Sequence, residues 1–130
     1  MGFKTLAAVI MVFSQPVVAC NYDLVTLTDW EITPENDRLN ILNTTFLFTG
    51  EREIRMIDAS VRFSDILGGN IASFAMDRDL RIEPGAEFNQ TGRWGMYTFE
   101  RLLDMEQADV ETRVCVRGVI YVDGTSEVFG

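Results

Sequence analysis

Two carboxylates, Asp77 and Asp79, stand two residues apart in the stretch AMDRDLRI and are the nearest this chain comes to a catalytic pair. On an extended strand such residues point the same way, with roughly 6–7 Å between their Cα atoms, a spacing compatible with paired-carboxylate hydrolysis of glycans. No other acid–base apparatus is at hand. The chain has no histidine, and its only lysine is Lys4. That removes Ser-His and Cys-His nucleophile pairs and imidazole metal sites, and beyond Lys4 it removes Schiff-base and Ser-Lys chemistry. Twenty Asp and Glu in 130 residues make close acidic pairs unavoidable. The simpler reading of Asp77 and Asp79 is an acidic, solvent-facing edge beside Arg78 and Arg81. A spaced Asp/Asn loop for calcium is missing as well, so no metal, cofactor or catalytic residue is expected.

The segment TGRWGMYTF gathers binding chemistry instead. It places Arg93, Trp94, Met96, Tyr97 and Phe99 within seven residues, interrupted by glycines. Trp, Tyr and Arg dominate binding hot spots, and Met repacks against varied surfaces. The same aromatics could equally plug the end of a small core, with Gly92 and Gly95 permitting the bends. Exposed, the segment is a partner surface; buried, it is a plug.

Cys20 and Cys115 are the only two cysteines. Val17-Val18-Ala19-Cys20 satisfies the loose form of a lipoprotein box, which would place a lipid anchor on Cys20. Ser14-Gln15-Pro16 instead supplies the polar, helix-breaking piece that precedes an ordinary signal-peptidase cut. An exported, oxidising compartment favours pairing the two thiols, so a Cys20–Cys115 disulfide is the expectation and a lipidated Cys20 the alternative.

These residues must be held by elements legible in the rest of the chain. Residues 1–19 carry one lysine, an apolar run from Leu6 to Phe13 and a short polar piece ending in small residues, the parts of a cleaved export signal of bacterial type. The run is far below the ~20 residues that span a bilayer, and no later stretch approaches that length. Removing it leaves 111 residues, the size of a single domain, at 20–130. Those residues hold ten Arg against twenty acids. Such a charge disfavours nucleic acid and anionic lipid and suits a cationic partner.

From Tyr22 onward the apolar pattern has period two. Strands are expected over Leu24–Ile32, Asn40–Thr49, Ile54–Phe63, Asn70–Asp77 with continuation through Leu80–Ile82, Ala86–Trp94, Val110–Val122 and Thr125–Phe129. The long penultimate strand puts Val110, Val114, Val116, Ile120 and Val122 on one face, and Arg113, Cys115, Arg117 and Tyr121 on the other. One short helix is expected over Thr98–Gln107, from Phe99, Leu102 and Leu103 at i, i+3 and i+4. Seven or so strands with frequent turns describe an all-β, immunoglobulin-like two-sheet sandwich with one short helix before the penultimate strand.

The run SVRFSDILGGNIASFAMDRDLRIEPGAEF, residues 60–88, resembles exported bacterial immunoglobulin-like domains of the FxLYD type in its strand, Asp near a Gly turn, second strand and Pro-Gly, with Ser64 where the family carries an aromatic. The resemblance implies a sandwich and leaves function open. Together these features predict an exported, non-enzymatic binding or structural module of the bacterial envelope, periplasmic or secreted, whose partner is a protein or envelope component. An inhibitor of a cationic envelope enzyme is one form of it. A carboxylate-dependent glycan hydrolase and a membrane-anchored lipoprotein of an envelope assembly are the alternatives.

Overall fold

The computed structural model describes residues 20–129; the export signal expected at 1–19 lies outside them. Seven strands run in the order β1 (Val25–Pro34), β2 (Leu39–Phe48), β3 (Ile54–Asp65), β4 (Asn70–Ala75), β5 (Glu87–Gly95), β6 (Val110–Tyr121) and β7 (Ser126–Val128). They form two antiparallel sheets, β1-β2-β5 and β4-β3-β6-β7. The chain therefore crosses between sheets from β2 to β3, from β4 to β5 and from β5 to β6, which gives an immunoglobulin-like, all-β sandwich. No helix among the described residues is long and apolar enough to cross a membrane.

Alternation builds the core. Leu42, Thr44, Phe46 and Phe48 of β2 are buried, facing Ile57, Ala59, Val61 and Phe63 of β3 and Val114 and Val116 of β6. Thr44 is tolerated inside because its hydroxyl donates to the Gln90 carbonyl at 2.8 Å, and among the described residues no buried side-chain nitrogen or oxygen is left without a partner. At one end five rings from both sheets and a connection meet. Phe63 packs on Trp30, Phe74 and Phe99 at centroid separations of 6.0, 6.3 and 5.6 Å, and Trp94 closes on Phe74 and Phe99 at 5.7 and 5.4 Å. These are the offsets and edge contacts that aromatic quadrupoles favour. Gly92 makes room for it: a Cβ there would meet the Trp94 indole nitrogen at 2.7 Å.

Three expectations are corrected. The helix over Thr98–Gln107 is two 3-10 turns, Glu100–Asp104 and Gln107–Asp109. Phe99 and Leu102 are buried and Met105 packs against the core, whereas Leu103 is exposed; that repeat of three fits a 3-10 turn rather than an α-helix. The second correction concerns β6. Asp58 pairs with Gly118 and Ala59 with Val116, so Arg117 is an extra residue, and the bulge inverts the alternation beyond it. Val119 and Tyr121 turn inward, with Tyr121 7% exposed and Val122 44%. Third, β4 stops at Ala75, and Leu80–Ile82 contributes only the isolated bridge between Ile54 and Ile82.

Tyr121 is held inward by its hydroxyl, which donates to Glu127 at 2.6 Å, and by the Arg52 guanidinium 3.9 Å above its ring. Arg52 also pairs with Asp123 at 2.7 Å. The Asp123 carboxyl accepts from the hydroxyl and amide of Thr125, and these bonds, followed by Arg52, lower its pKa from 3.8 to about 2. A depressed carboxyl contributes stability that is present above its unfolded value of 3.8 and lost as pH falls towards 2. The melting temperature of Asp123→Asn should therefore fall less than that of the wild type between pH 4 and pH 2, as read by circular dichroism. Parallel curves would show that Asp123 contributes nothing to acid stability.

The disulfide expected from cysteine parity is formed. Cys20 and Cys115 are bonded across 95 residues, and no cysteine of the described chain is free. A sulfur committed to that bond is not available for a thioether lipid. Asn21 exchanges two backbone hydrogen bonds with Val116, at 2.9 and 3.1 Å, and so continues the covered edge of β6 beyond β7.

Candidate functional site

The sequence segment 93–99 divides between core and surface. Phe99 is 0% exposed and Trp94 half-buried, both in the aromatic cluster. Arg93 lies outside, paired with Glu35 at 3.1 Å. Met96 is exposed, and Tyr97 is 77% exposed. The backbone beneath them is fixed: the Met96 N–H donates to the Arg38 carbonyl at 2.9 Å, and the buried Asn40 amide reaches the Met96 carbonyl at 3.4 Å. Plug and surface are thus two halves of one segment, with Trp94 and Phe99 anchoring and Met96 and Tyr97 presented.

A second projection adjoins it. The β3–β4 turn carries Ile66 and Leu67 into solvent, and Leu67 is 93% exposed. The turn is braced from inside. One Asp65 oxygen accepts the N–H groups of Leu67 and Gly69, each at 2.9 Å, while the other receives the Arg101 guanidinium at 2.8 Å. The Ile66 N–H donates to the Asp109 carbonyl at 3.1 Å. Gly68 has a positive φ of 88°, and a Cβ on Gly69 would collide with the Asp65 carboxylate. Hydrogen bonds from Gly69, then from Arg101 and Leu67, hold the Asp65 carboxyl below its ordinary pKa of 3.8. An apolar tip on a rigid turn costs little ordering entropy when it docks.

The two projections share one end of the sandwich. The connection from β5 to β6 touches the β1–β2 turn through Met96, the β3–β4 turn through Arg101 and Asp109, and β1 through Gln107, whose amide donates to the Trp30 carbonyl at 2.6 Å. Of the nine large hydrophobic residues left exposed among the described residues, five sit on this end: Ile66, Leu67, Met96, Tyr97 and Leu103. The other four are spread over the rest of the molecule, so the concentration is local. Around it stand exposed acids: Asp37, Glu100, Asp104, Glu106 and Asp109. Of the three arginines here, Arg93 and Arg101 are engaged by Glu35 and Asp65. A depression of about 410 Å³ separates Ile66 and Leu67 from Asp104, Glu106 and Asp109. The arrangement offers apolar anchors within a negative rim.

Ile66, Leu67 and Leu103 are missing from the expectation drawn from sequence. Two aliphatic residues placed directly between Asp65 and Gly68-Gly69, where a turn calls for polar residues, were the available signal. Asp77 and Asp79 fall in the irregular stretch after β4, both exposed, so no strand aligns them. Among the described residues no group of three or more acids, cysteines or histidines is disposed to hold a metal. No family model matches the chain, and no characterised protein matches it in sequence.

Proposed function

We propose that this chain is an exported, non-enzymatic binding module of the bacterial envelope or its surroundings that engages a cationic protein through the loop-bearing end of the sandwich. The concentration of Ile66, Leu67, Met96, Tyr97 and Leu103 inside an acidic rim carries the reading. Anchors that desolvate at the centre of a patch supply most binding energy, and the charged rim sets encounter rate and partner sign. The disulfide supports an oxidising compartment, periplasmic or secreted. The FxLYD-type resemblance of residues 60–88 is in keeping with an exported domain. A basic envelope enzyme inhibited by occlusion of its cleft is the partner class that suits a projecting Leu67 beside carboxylates.

The test is capture of basic proteins from the envelope by the immobilised protein. Leu67→Ser with Tyr97→Ala should weaken capture about 30-fold or more, as loss of a hot spot does, while stability stays within about 0.5 kcal/mol of wild type, as for other surface substitutions. Raising salt from about 0.05 to 0.5 M should slow association by screening the rim. Capture that ignores both the double substitution and the salt would overturn the reading.

A further inference from the structure

The outer face of the four-stranded sheet carries charge opposite to that of the molecule as a whole. Ser60, Arg62 and Ser64 alternate with buried Val61 and Phe63 on β3, and Glu111, Arg113 and Cys115 alternate with Val114 on β6. A groove of about 310 Å³ on the same face takes Arg78 and Arg117 together with Asp58. Four arginines thus share one face with Asp58 and Glu111, with Glu127 also lining the groove, in a chain of net charge −9.

Arg62 and Arg113 stand directly opposite each other in the β3–β6 ladder, and Ser73 pairs with Arg62 on its other side. Directly opposed side chains have Cβ atoms about 5 Å apart, and like charges so placed destabilise a sheet. Among the described residues neither arginine makes an ion pair; Asp58 is engaged by Arg78 at 3.7 Å, and Glu111 pairs with neither. Any neutral polar residue would hold the strands better. The row continues past Arg113 to Tyr22, 47% exposed, whose ring centroid is 5.6 Å from the Arg113 guanidinium. The disulfide and the Asn21–Val116 bridge fasten Tyr22 there.

We infer that this face binds an acidic polysaccharide, a function separate from the loop-bearing end. Paired guanidiniums match a uronate carboxylate in planar, two-pronged geometry. Tyr22 offers a ring to the C–H face of a sugar, and Ser60, Ser64 and Ser73 can bond its hydroxyls. Arg117, four residues along β6 and so roughly 13 Å from Arg113, gives an extended chain a second ionic contact. The arginine–serine row itself is polar, and the apolar residues of this face, Met56, Ile120 and Val128, line the groove beside Arg117.

The probe is polygalacturonate, with its carboxyl-reduced form and duplex DNA as comparisons, titrated by calorimetry at about 50 mM salt. Wild type should bind polygalacturonate and ignore the reduced polymer. Arg62→Ser with Arg113→Ser should weaken binding at least about tenfold, as expected for lost charge-assisted bonds, and should melt no lower than wild type, since the pair opposes folding. Tyr22→Ala should weaken it several-fold, and the Leu67→Ser, Tyr97→Ala variant should bind as wild type does. No binding of polygalacturonate, or binding indifferent to the double arginine substitution, overturns the inference. Equal binding of DNA, unchanged by Tyr22→Ala, overturns the polysaccharide assignment.

Discussion

Phe99→Ala should lower the free energy of unfolding by about 3–5 kcal/mol, the range for truncating a fully buried ring. Phe99 is 0% exposed and touches Phe63, Phe74 and Trp94 edge-on, at 5.6, 6.2 and 5.4 Å. The 3-10 turn that follows buries only Leu102, so it has no intrinsic stability to fall back on, and short helical turns persist only through such anchoring. Removing the ring takes away the fixed point from which Tyr97 projects on one side and Arg101 reaches Asp65 on the other. Binding at the loop-bearing end should therefore fail with stability in this variant, whereas Tyr97→Ala should weaken binding and leave stability alone. Urea titration separates the two, with an unchanged m-value indicating that only stability has moved. Phe99→Leu, which keeps most of the volume, should cost less than about 1.5 kcal/mol. A loss below about 1 kcal/mol for Phe99→Ala would mean that the cluster does not organise this end.

The legible part of the fold was the part in which one rule decides orientation. Leu42, Thr44, Phe46 and Phe48 alternate without interruption, and all four are buried as their spacing requires. Where two rules compete, the sequence is ambiguous. Val110 to Val122 reads as a single alternation, yet the extra residue at Arg117 reverses inside and outside from Val119 onward. A bulge has no composition signature here beyond Gly118, where even a Cβ would make only ordinary contact with the Glu127 carbonyl and Val128. Phe99 and Leu102 fit both a 3.6-residue and a 3-residue repeat, and only the exposure of Leu103 and the packing of Met105 tell them apart.

The candidate site was half legible for a related reason. Residue types in Arg93–Phe99 mark a segment rich in anchoring side chains, but which of them anchor the core depends on partners far away in sequence: Phe63, Phe74 and Trp30. The Leu67 projection depends on Asp65, Gly68, Gly69, Arg101 and Asp109 acting together. Likewise Arg62 and Arg113 are 51 positions apart in sequence, and only the β3–β6 register makes them neighbours. Local pattern fixes which face a residue takes; long-range register fixes what it stands beside.

Cys115→Ser should cost about 4–5 kcal/mol, because the bond closes a loop of 95 residues, nearly the whole domain. Against a total of about 5–15 kcal/mol for a domain, that is a large share, and the variant should unfold at a markedly lower urea concentration. Wild-type protein treated with a thiol reductant should behave in the same way, and Cys20→Ser should match Cys115→Ser. The bond also carries a local consequence. Residues 20–24 are tied to β6 by the disulfide and the Asn21–Val116 hydrogen bonds alone among backbone pairings to that strand. With the bond open, the two Asn21–Val116 hydrogen bonds, worth roughly 1 kcal/mol each, must hold residues 20–22 to β6, since the bonds from Thr49 reach only Asp23 and Leu24, and Tyr22 will leave Arg113 for much of the time. Tyr22→Ala should then weaken polygalacturonate binding in the oxidised protein and add nothing in Cys115→Ser, below the melting temperature of both. If Tyr22→Ala costs the same with the bond open, the strap is held by something other than the disulfide, and the bond is a staple of the fold with no part in shaping the face.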